Sequence, residues 1–174
     1  VRLRSLAPRD EHATGQLIEL YERAGLWEKV PALYSVLLEL ASDTVSRVAL
    51  LRRLSRTLAE QLGDLERAFD AARSAFALAP EDRDVLADAT ALAMRTGKTT
   101  ELATAITEAL AATAGAPEGT WAELVLAKAR ILSTHESTWV EAAAAFRDVI
   151  ERSTDPEITA AASQGFEELL QAMP

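Results

Sequence analysis

The residues that could do chemistry are few and widely spaced along this chain of 174 residues. The two histidines, His12 and His135, have no ligand partner at metal-site spacing, such as four residues further along a helix. Cysteine is absent, which excludes disulfides and thiolate metal sites and leaves the redox compartment open. The seven glycines are scattered, so no phosphate-binding loop is predicted. We therefore expect no catalytic residues, no metal and no cofactor, and a protein that is not an enzyme.

Charged residues are plentiful, but their spacing is not that of a catalytic site. Glu19 and Glu22 fall on one face of a predicted helix, as carboxylates do in any acidic helical protein. Four arginines follow one another along a single segment: Arg47, Arg52, Arg53 and Arg56. Acidic residues come soon after them, so a solvated face of mixed charge is preferred over a nucleic-acid surface. The net charge of −9 also argues against a nucleic-acid partner, because such binding needs basic residues to neutralise phosphates.

The composition predicts helices and no membrane span. Apolar residues make up 49% of the chain and aromatic residues 5%, so alanine and leucine carry the packing, which suits helices better than strands. No segment approaches the roughly 18 consecutive apolar residues of a membrane span, and the N-terminus lacks a signal-peptide pattern. We expect a cytoplasmic protein, with the periplasm left open. The alanine-rich, lysine-poor composition is also associated with GC-rich bacterial genomes.

Apolar residues recur at helical spacing between regular turn residues, and no strand-type alternation is present. The predicted helices span residues 10–25, 27–41, 43–62, 64–80, 81–96, 99–114, 121–133, 138–152 and 156–173. Their expected first residues or caps are Asp10 or Thr14, Asp43 or Thr44, Asp64, Thr99 or Thr100, and Pro156. The segment AGAPEGT, residues 114–120, is predicted to be a loop. The predicted apolar faces include Leu20, Val45, Met94 and Leu170.

Glycine turns repeat along the chain. Gly25, Gly63 and Gly97 each lie between two predicted helices, at intervals of 38 and 34 residues. Glycine suits such a turn because it adopts positive φ without steric strain. A small or apolar residue follows each glycine by five positions: Val30, Ala68 and Leu102. A helical hairpin repeated about every 34 residues is typical of solenoids, in which each hairpin buries its apolar face against its neighbours.

The clearest repeat is GDLERAFDAARSAFALAPEDRDV, residues 63–85. It resembles the second helix and unit boundary of the tetratricopeptide repeat family. The matching residues are Gly63, Asp64, Ala68, Ala72, Ala75, Leu78 and Pro80. In the first unit, Leu17, Tyr21 and Gly25 are similar to the family's leucine, aromatic residue and glycine. The resemblance is degenerate after about residue 116, where HEST lacks the turn glycine although Trp139, Ala142 and Phe146 fit.

This resemblance implies an all-α fold, a right-handed superhelical solenoid of antiparallel helix hairpins with a C-terminal capping helix, in a single domain over residues 1–174. The implied repeats are 11–42, 43–82, 83–116 and 121–154, and the capping helix is 156–173. LAPRD at 6–10 matches LAPED at 78–82, so residues 1–10 are expected to end a preceding repeat. We therefore expect the chain to be a fragment of a longer array.

In the family that this chain resembles, the first helices of successive hairpins line a concave groove that holds a peptide or a partner helix. The groove positions implied here are Glu19, Glu22, Arg53, Thr57, Asp84, Asp88 and Lys128. One subgroup clamps C-terminal carboxylates with lysine, asparagine and arginine. The residues at the matching positions of this chain are His12, Gly15, Glu19, Arg53, Thr57 and Ala87. Most of them differ from the clamp residues, so that clamp is not expected. The acidic bias predicts a partner with exposed basic residues.

We therefore expect a non-enzymatic scaffold or adaptor segment that binds a protein or peptide partner. Two alternatives stay open: a structural spacer or self-association module, and a recruitment domain attached to an enzyme elsewhere in the full chain. We expect a monomer or a weak homodimer. As part of an interrupted repeat, residues 1–10 would expose three apolar residues that could drive artificial dimers: Val1, Leu3 and Leu6. Trp27, Trp121 and Trp139 are interpreted as packing at hairpin junctions in preference to anchoring a ligand.

Overall fold

The structure is a computed structural model that describes residues 10–112 and 118–173. Within these ranges the protein is all-α and contains no strand, which confirms the expected fold class. The helices are α1 (Glu11–Arg23), α2 (Val30–Leu40), α3 (Thr44–Glu60), α4 (Leu65–Leu78), α5 (Arg83–Thr96), α6 (Thr99–Ala112), α7 (Glu118–Leu132), α8 (Trp139–Arg152) and α9 (Pro156–Ala172). Short 3₁₀ turns, Trp27–Lys29 and Glu136–Thr138, precede α2 and α8. The predictions for residues 1–9 and 113–117 lie outside the described ranges.

Aspartate side chains cap the N-termini of several of these helices. The amides of Ala13, Ser46 and Arg67 donate to Asp10, Asp43 and Asp64 at 3.1, 2.8 and 3.2 Å. Each bond satisfies one of the amides that have no partner within the first turn of a helix. The caps of α1 and α3 are therefore Asp10 and Asp43, and the alternatives Thr14 and Thr44 lie inside the helices. Asp82 accepts from Asp84 and Val85 in the same way, so α5 begins at Arg83, two residues later than predicted.

The three predicted turn glycines have a left-handed backbone. Gly25, Gly63 and Gly97 have φ values of 68°, 67° and 72°, and no other described residue has positive φ. A side chain at these positions would strain the backbone, because L-residues other than glycine rarely adopt this conformation. The sequence-based prediction of positive φ at these turns is confirmed.

The turn between α7 and α8 has no glycine, and side chains satisfy its carbonyl groups instead. The Thr138 hydroxyl donates to the carbonyls of Leu132 and His135, the second at 2.9 Å. The Trp139 indole N–H donates to the carbonyl of Ser133 at 3.0 Å. These bonds cover acceptors that the end of a helix leaves without intrahelical partners. The sequence HESTW therefore reverses the chain by side-chain hydrogen bonding, without a left-handed residue.

The chain divides into two compact units, Val1–Leu92 and Ala93–Pro174. In the first, α1 contacts α2, α2 contacts α3, and α3 contacts α4. One cluster of its core is formed by Leu17, Ile18, Val30, Leu33, Tyr34 and Leu37. The contact between α3 and α4 is close, because Ala68 and Ala75 are fully buried and the Ser55 hydroxyl reaches the Ala68 carbonyl at 2.8 Å.

In the second unit, α6 contacts α7, α7 contacts α8, and α9 contacts both α8 and α7. The buried cluster is Ala103, Ala122, Val125, Leu126, Ala129, Leu132, Ala142, Phe146, Val149, Ile158, Ala162 and Leu169. The last three of these belong to α9, which thus buries one apolar face against the hairpin before it. Asp155 accepts from the amides of Glu157 and Ile158 at the start of α9, and Pro156 occupies the first turn as predicted.

Several details of the sequence-based prediction are wrong. Leu20, Met94 and Leu170 are exposed, and Val45 in the first turn of α3 is 80% exposed, so these four residues are not part of the core. The predicted loop at 114–120 extends too far, because residues 118–120 are the first turn of α7. Gly119 suggested a loop there, but an acidic residue in the first turn favours a helix. Glu118 also accepts a hydrogen bond from the Thr154 amide at 3.0 Å, a contact that local pattern does not reveal.

Gly165 of α9 allows Phe146 of α8 to approach closely, since a Cβ at this position would lie 2.7 Å from a ring carbon of Phe146. We expect Gly165→Ala to destabilise the protein by about 1–2 kcal/mol, because overpacking outweighs the gain in helix propensity. Gly15→Ala in α1 is the matched control, since its Cβ would meet nothing within 4 Å. The control should stabilise the protein by up to about 1 kcal/mol. Urea unfolding of both variants tests this, and equal effects of the same sign would contradict it.

Candidate functional site

Three of the predicted binding residues meet around the buried Tyr34 ring in the first unit. The Tyr34 hydroxyl donates to Glu22 Oε1 at 3.3 Å, and Arg53 Nη2 lies 3.9 Å from the same carboxylate oxygen. The Arg53 guanidinium lies over the Tyr34 ring, 5.7 Å from its centre. The Thr57 hydroxyl donates to the Arg53 carbonyl at 3.0 Å. Residues from α1, α2 and α3 thus form one connected polar cluster.

A cleft of about 200 Å³ opens beside this cluster. Its lining residues are Glu22, Trp27, Tyr34, Arg53, Arg56, Thr57, Glu60 and Gln61. We call it the Tyr34 cleft. Four of these residues share one face of α3, because positions 53, 56, 57 and 60 follow the spacing of helical neighbours. That spacing was a signal in the sequence that could have added Arg56 and Glu60 to the predicted set.

The residues of the Tyr34 cleft differ in how accessible they are. The Arg53 side chain is 58% exposed and that of Glu22 is 25% exposed. Thr57 is only 7% exposed, so it forms part of the wall and its hydroxyl is used within α3. Tyr34 is 1% exposed and forms the floor. Arginine and glutamate are thus the polar groups that a partner at this cleft can reach.

Burial raises the pKa of Tyr34 above its ordinary value. The positive charge of Arg53 lowers it by a smaller amount, and the negative charge and hydrogen bond of Glu22 raise it. The phenol is therefore neutral at physiological pH and serves as a hydrogen-bond donor to Glu22. It is a structural element of the cleft, because its hydroxyl is already bonded.

Asp84 and Asp88, also predicted as binding residues, are paired with Arg52. Arg52 Nε donates to Asp88 Oδ2 at 2.8 Å, and its Nη1 lies 3.8 Å from Asp84 Oδ2. The hydrogen bond from Arg52 to Asp88 is the main cause of the raised pKa of the Arg52 guanidinium. Arg52 is therefore positively charged at any accessible pH. These contacts link α3 to the first two turns of α5. Arg52 belongs to the arginine segment that was interpreted as a solvated face, so the sequence did not predict this link.

The remaining two predicted residues lie apart from the Tyr34 cleft. Glu19 is exposed on α1, 3.7 Å from Arg23, and borders a separate open depression that also includes His12 and Gln16. Lys128 belongs to the second unit, where its Nζ lies 2.9 Å from Glu141 Oε1. That pair joins α7 to α8. The structure therefore brings together Glu22, Arg53 and Thr57, and it gives the other predicted residues different neighbours.

The tryptophans pack against the core, and their role at hairpin junctions stays a prediction. Trp27 contacts the buried cluster of the first unit, and Trp121 and Trp139 contact that of the second. The Arg152 guanidinium covers the Trp121 ring at 4.0 Å from its centre, a favourable cation–π distance. Trp27 has a second role as a wall of the Tyr34 cleft.

Comparison with known proteins adds no family assignment. No protein-family model matches the chain, and a search of curated proteins finds no match either. The resemblance to tetratricopeptide repeats therefore stays a prediction from the residues. Among the described residues, every helix is too short or too polar to pass through a lipid bilayer.

The Arg52–Asp88 pair should couple more strongly than an exposed pair on one helix. We expect a double-mutant cycle with Arg52→Gln and Asp88→Asn to give a coupling of about 1 kcal/mol, because the 2.8 Å bond is charge-assisted and Arg52 is mostly buried. Arg56 and Glu60, 4.0 Å apart and exposed, are the comparison pair and should give less than about 0.5 kcal/mol. Urea unfolding measures both couplings. A coupling for Arg52 and Asp88 no larger than that of the exposed pair would contradict the prediction.

The raised pKa of Tyr34 predicts a loss of stability at alkaline pH. The folded protein holds the phenolic proton more tightly than the unfolded chain, so this contribution is complete below about pH 10 and is lost as the pH rises through the folded pKa. We expect the free energy of unfolding to fall less steeply above about pH 10 in Tyr34→Phe than in the unsubstituted chain. Tyr21→Phe controls for the removal of a tyrosine. Parallel curves for the unsubstituted chain and Tyr34→Phe would refute the prediction.

Proposed function

We propose that this chain is a tetratricopeptide-like segment that acts as a non-enzymatic scaffold or adaptor by binding a protein or peptide partner. The single observation that carries the proposal is the Tyr34 cleft, where three residues predicted to bind a partner converge beside a tryptophan. The turn glycines at positive φ and the alanine-rich contact between α3 and α4 support the repeat assignment. In this proposal the hairpins form a right-handed superhelix with a concave groove.

The size and lining of the Tyr34 cleft favour a peptide side chain as its occupant. Pockets for cofactors and small substrates usually enclose about 300–1,000 Å³, more than the 200 Å³ found here. Arginine and tryptophan are common among the residues that contribute most to protein–protein binding. A partner segment that inserts one side chain at this cleft would contact Trp27 and the exposed part of Arg53. An anchor of this kind suits a binding surface better than it suits catalysis.

The last helix fits the proposed capping role. Ile158, Ala162 and Leu169 of α9 are buried in the second unit. The opposite face is polar and exposed, with Gln164, Glu167 and Glu168. A repeat array needs such a helix because its last hairpin otherwise leaves an apolar face in contact with water. The packing of α9 in the second unit therefore supports the proposed arrangement of hairpins followed by a capping helix.

The charge of the chain suggests how a partner reaches this surface. A net charge of −9 attracts a partner with exposed basic residues over distances of about a Debye length. Asp84 and Asp88 contribute less to close contacts than the sequence suggested, because Arg52 neutralises them locally. A monomer or weak homodimer, a cytoplasmic location and a bacterial origin stay predictions from the sequence.

A display experiment tests the proposed function. The chain is immobilised and used to select from a library of random linear peptides, and we expect enriched peptides that bind at micromolar concentrations. Arg53→Glu should weaken their binding at least tenfold, since a charge-assisted contact at the cleft is reversed. Arg47→Glu is the control, because it makes the same charge change at another exposed position of α3.

The outcomes separate the alternatives. Peptides that bind both variants equally would place the binding surface outside the Tyr34 cleft. Failure to enrich any peptide, together with a concentration-dependent dimer in light scattering, would favour the self-association module over the scaffold.

A further inference from the structure

We infer that the Tyr34 cleft recognises the carboxylate of an aspartate or glutamate side chain in an extended peptide, through Arg53 and Arg56. This inference rests on the proposed function, which it makes more specific. The two arginines lie three residues apart on α3, so their side chains project from the same face. Both line the cleft, together with Trp27 and Tyr34.

These two arginines have hydrogen-bond donors that the described part of the protein does not use. Arg53 and Arg56 lie 3.9 and 4.0 Å from Glu22 and Glu60, which is beyond hydrogen-bonding distance. Their side chains are 58% and 64% exposed, and neither donates a hydrogen bond to any residue within 10–112 or 118–173. A guanidinium has five N–H donors in a planar fork that matches a carboxylate.

Three other arginines of the described residues use donors within the protein. Arg52, Arg67 and Arg152 each donate to an aspartate, at 2.8, 3.4 and 3.2 Å. Within the described ranges, Arg53 and Arg56 have no such acceptor and line the same cleft, so one incoming oxyanion would accept from both. The acceptors of the cleft are less available, because Glu22 is mostly buried and already accepts from the Tyr34 hydroxyl. Glu60 is exposed, but its contact with Arg56 is long enough to be displaced at little cost.

The surroundings of the two arginines are suited to hold a peptide carboxylate. The Tyr34 ring lies under the Arg53 guanidinium and Glu22 lies beside it, so the position of Arg53 is partly fixed before binding. Trp27 offers an apolar wall to the methylene groups of a bound glutamate or to a neighbouring residue. The overall negative charge does not conflict with this contact, because it acts on the whole partner at long range and the cleft contacts one side chain.

Three peptide display libraries test the inference, each random except for one fixed central residue, which is glutamate, glutamine or lysine. We expect the glutamate library to yield binders at least tenfold more often than the glutamine library. Arg56→Gln should remove this preference, and Arg47→Gln, at an exposed position of the same helix, should retain it. Circular dichroism checks that each variant keeps its helices.

The possible results lead to different conclusions. Equal enrichment from the glutamate and glutamine libraries would overturn the carboxylate inference and leave the proposed function standing. Preferential enrichment of the lysine library, or a glutamate preference that survives Arg56→Gln, would overturn it as well. If no library yields a binder, the proposed function fails together with this inference. For a selected peptide, synthetic versions with phosphoserine in place of glutamate then show whether a phosphate is accepted in the same position.

Discussion

The structure depends on short chain reversals whose backbone groups are satisfied, because helices as short as these are stable only when they pack against one another. Three reversals use glycine at positive φ, and the turn before α8 uses the Thr138 hydroxyl and the Trp139 indole. Each reversal fixes which residues of adjacent helices face each other. The turn at Gly25 in this way places Tyr34 of α2 beneath Glu22 of α1. The Tyr34 cleft is thus a consequence of how the chain turns.

Most of the helix positions could be predicted from the sequence, because their signals are local. Asp10, Asp43 and Asp64 accept from amides three residues further on, and a preference of this kind is visible in any single sequence. The start of α7 could not be predicted in this way. Glu118 is bonded to the Thr154 amide, 36 residues later in the chain, and this tertiary contact outweighs the loop preference of Gly119. Val45 was assigned to the core because periodicity does not show where the buried face of α3 begins.

The candidate site was predicted only in part. Glu22, Arg53 and Thr57 were named from a resemblance, and they do lie together. The pairing of Arg52 with Asp88 was missed, because the sequence does not show whether an arginine in a charged segment is solvated or bonded to an acidic residue 36 positions later. Arg52 lies in α3 and Asp88 in α5, so only the tertiary packing of these two helices brings the residues together. The difference between Arg52 and Arg53, adjacent in sequence, is decided by which neighbouring helix each one faces.

The contact between Gly165 and Phe146 has a consequence for how this protein can change over time. The ring occupies the space that a side chain at position 165 would need, with only 2.7 Å between a ring carbon and the position of a Cβ. A larger residue at 165 becomes acceptable only if the residue at 146 becomes smaller, and a smaller residue at 146 alone leaves a void. The two positions are therefore expected to covary among related chains, with the total volume of the pair conserved. Such a pair would identify the α8–α9 contact in relatives too distant for simple sequence comparison.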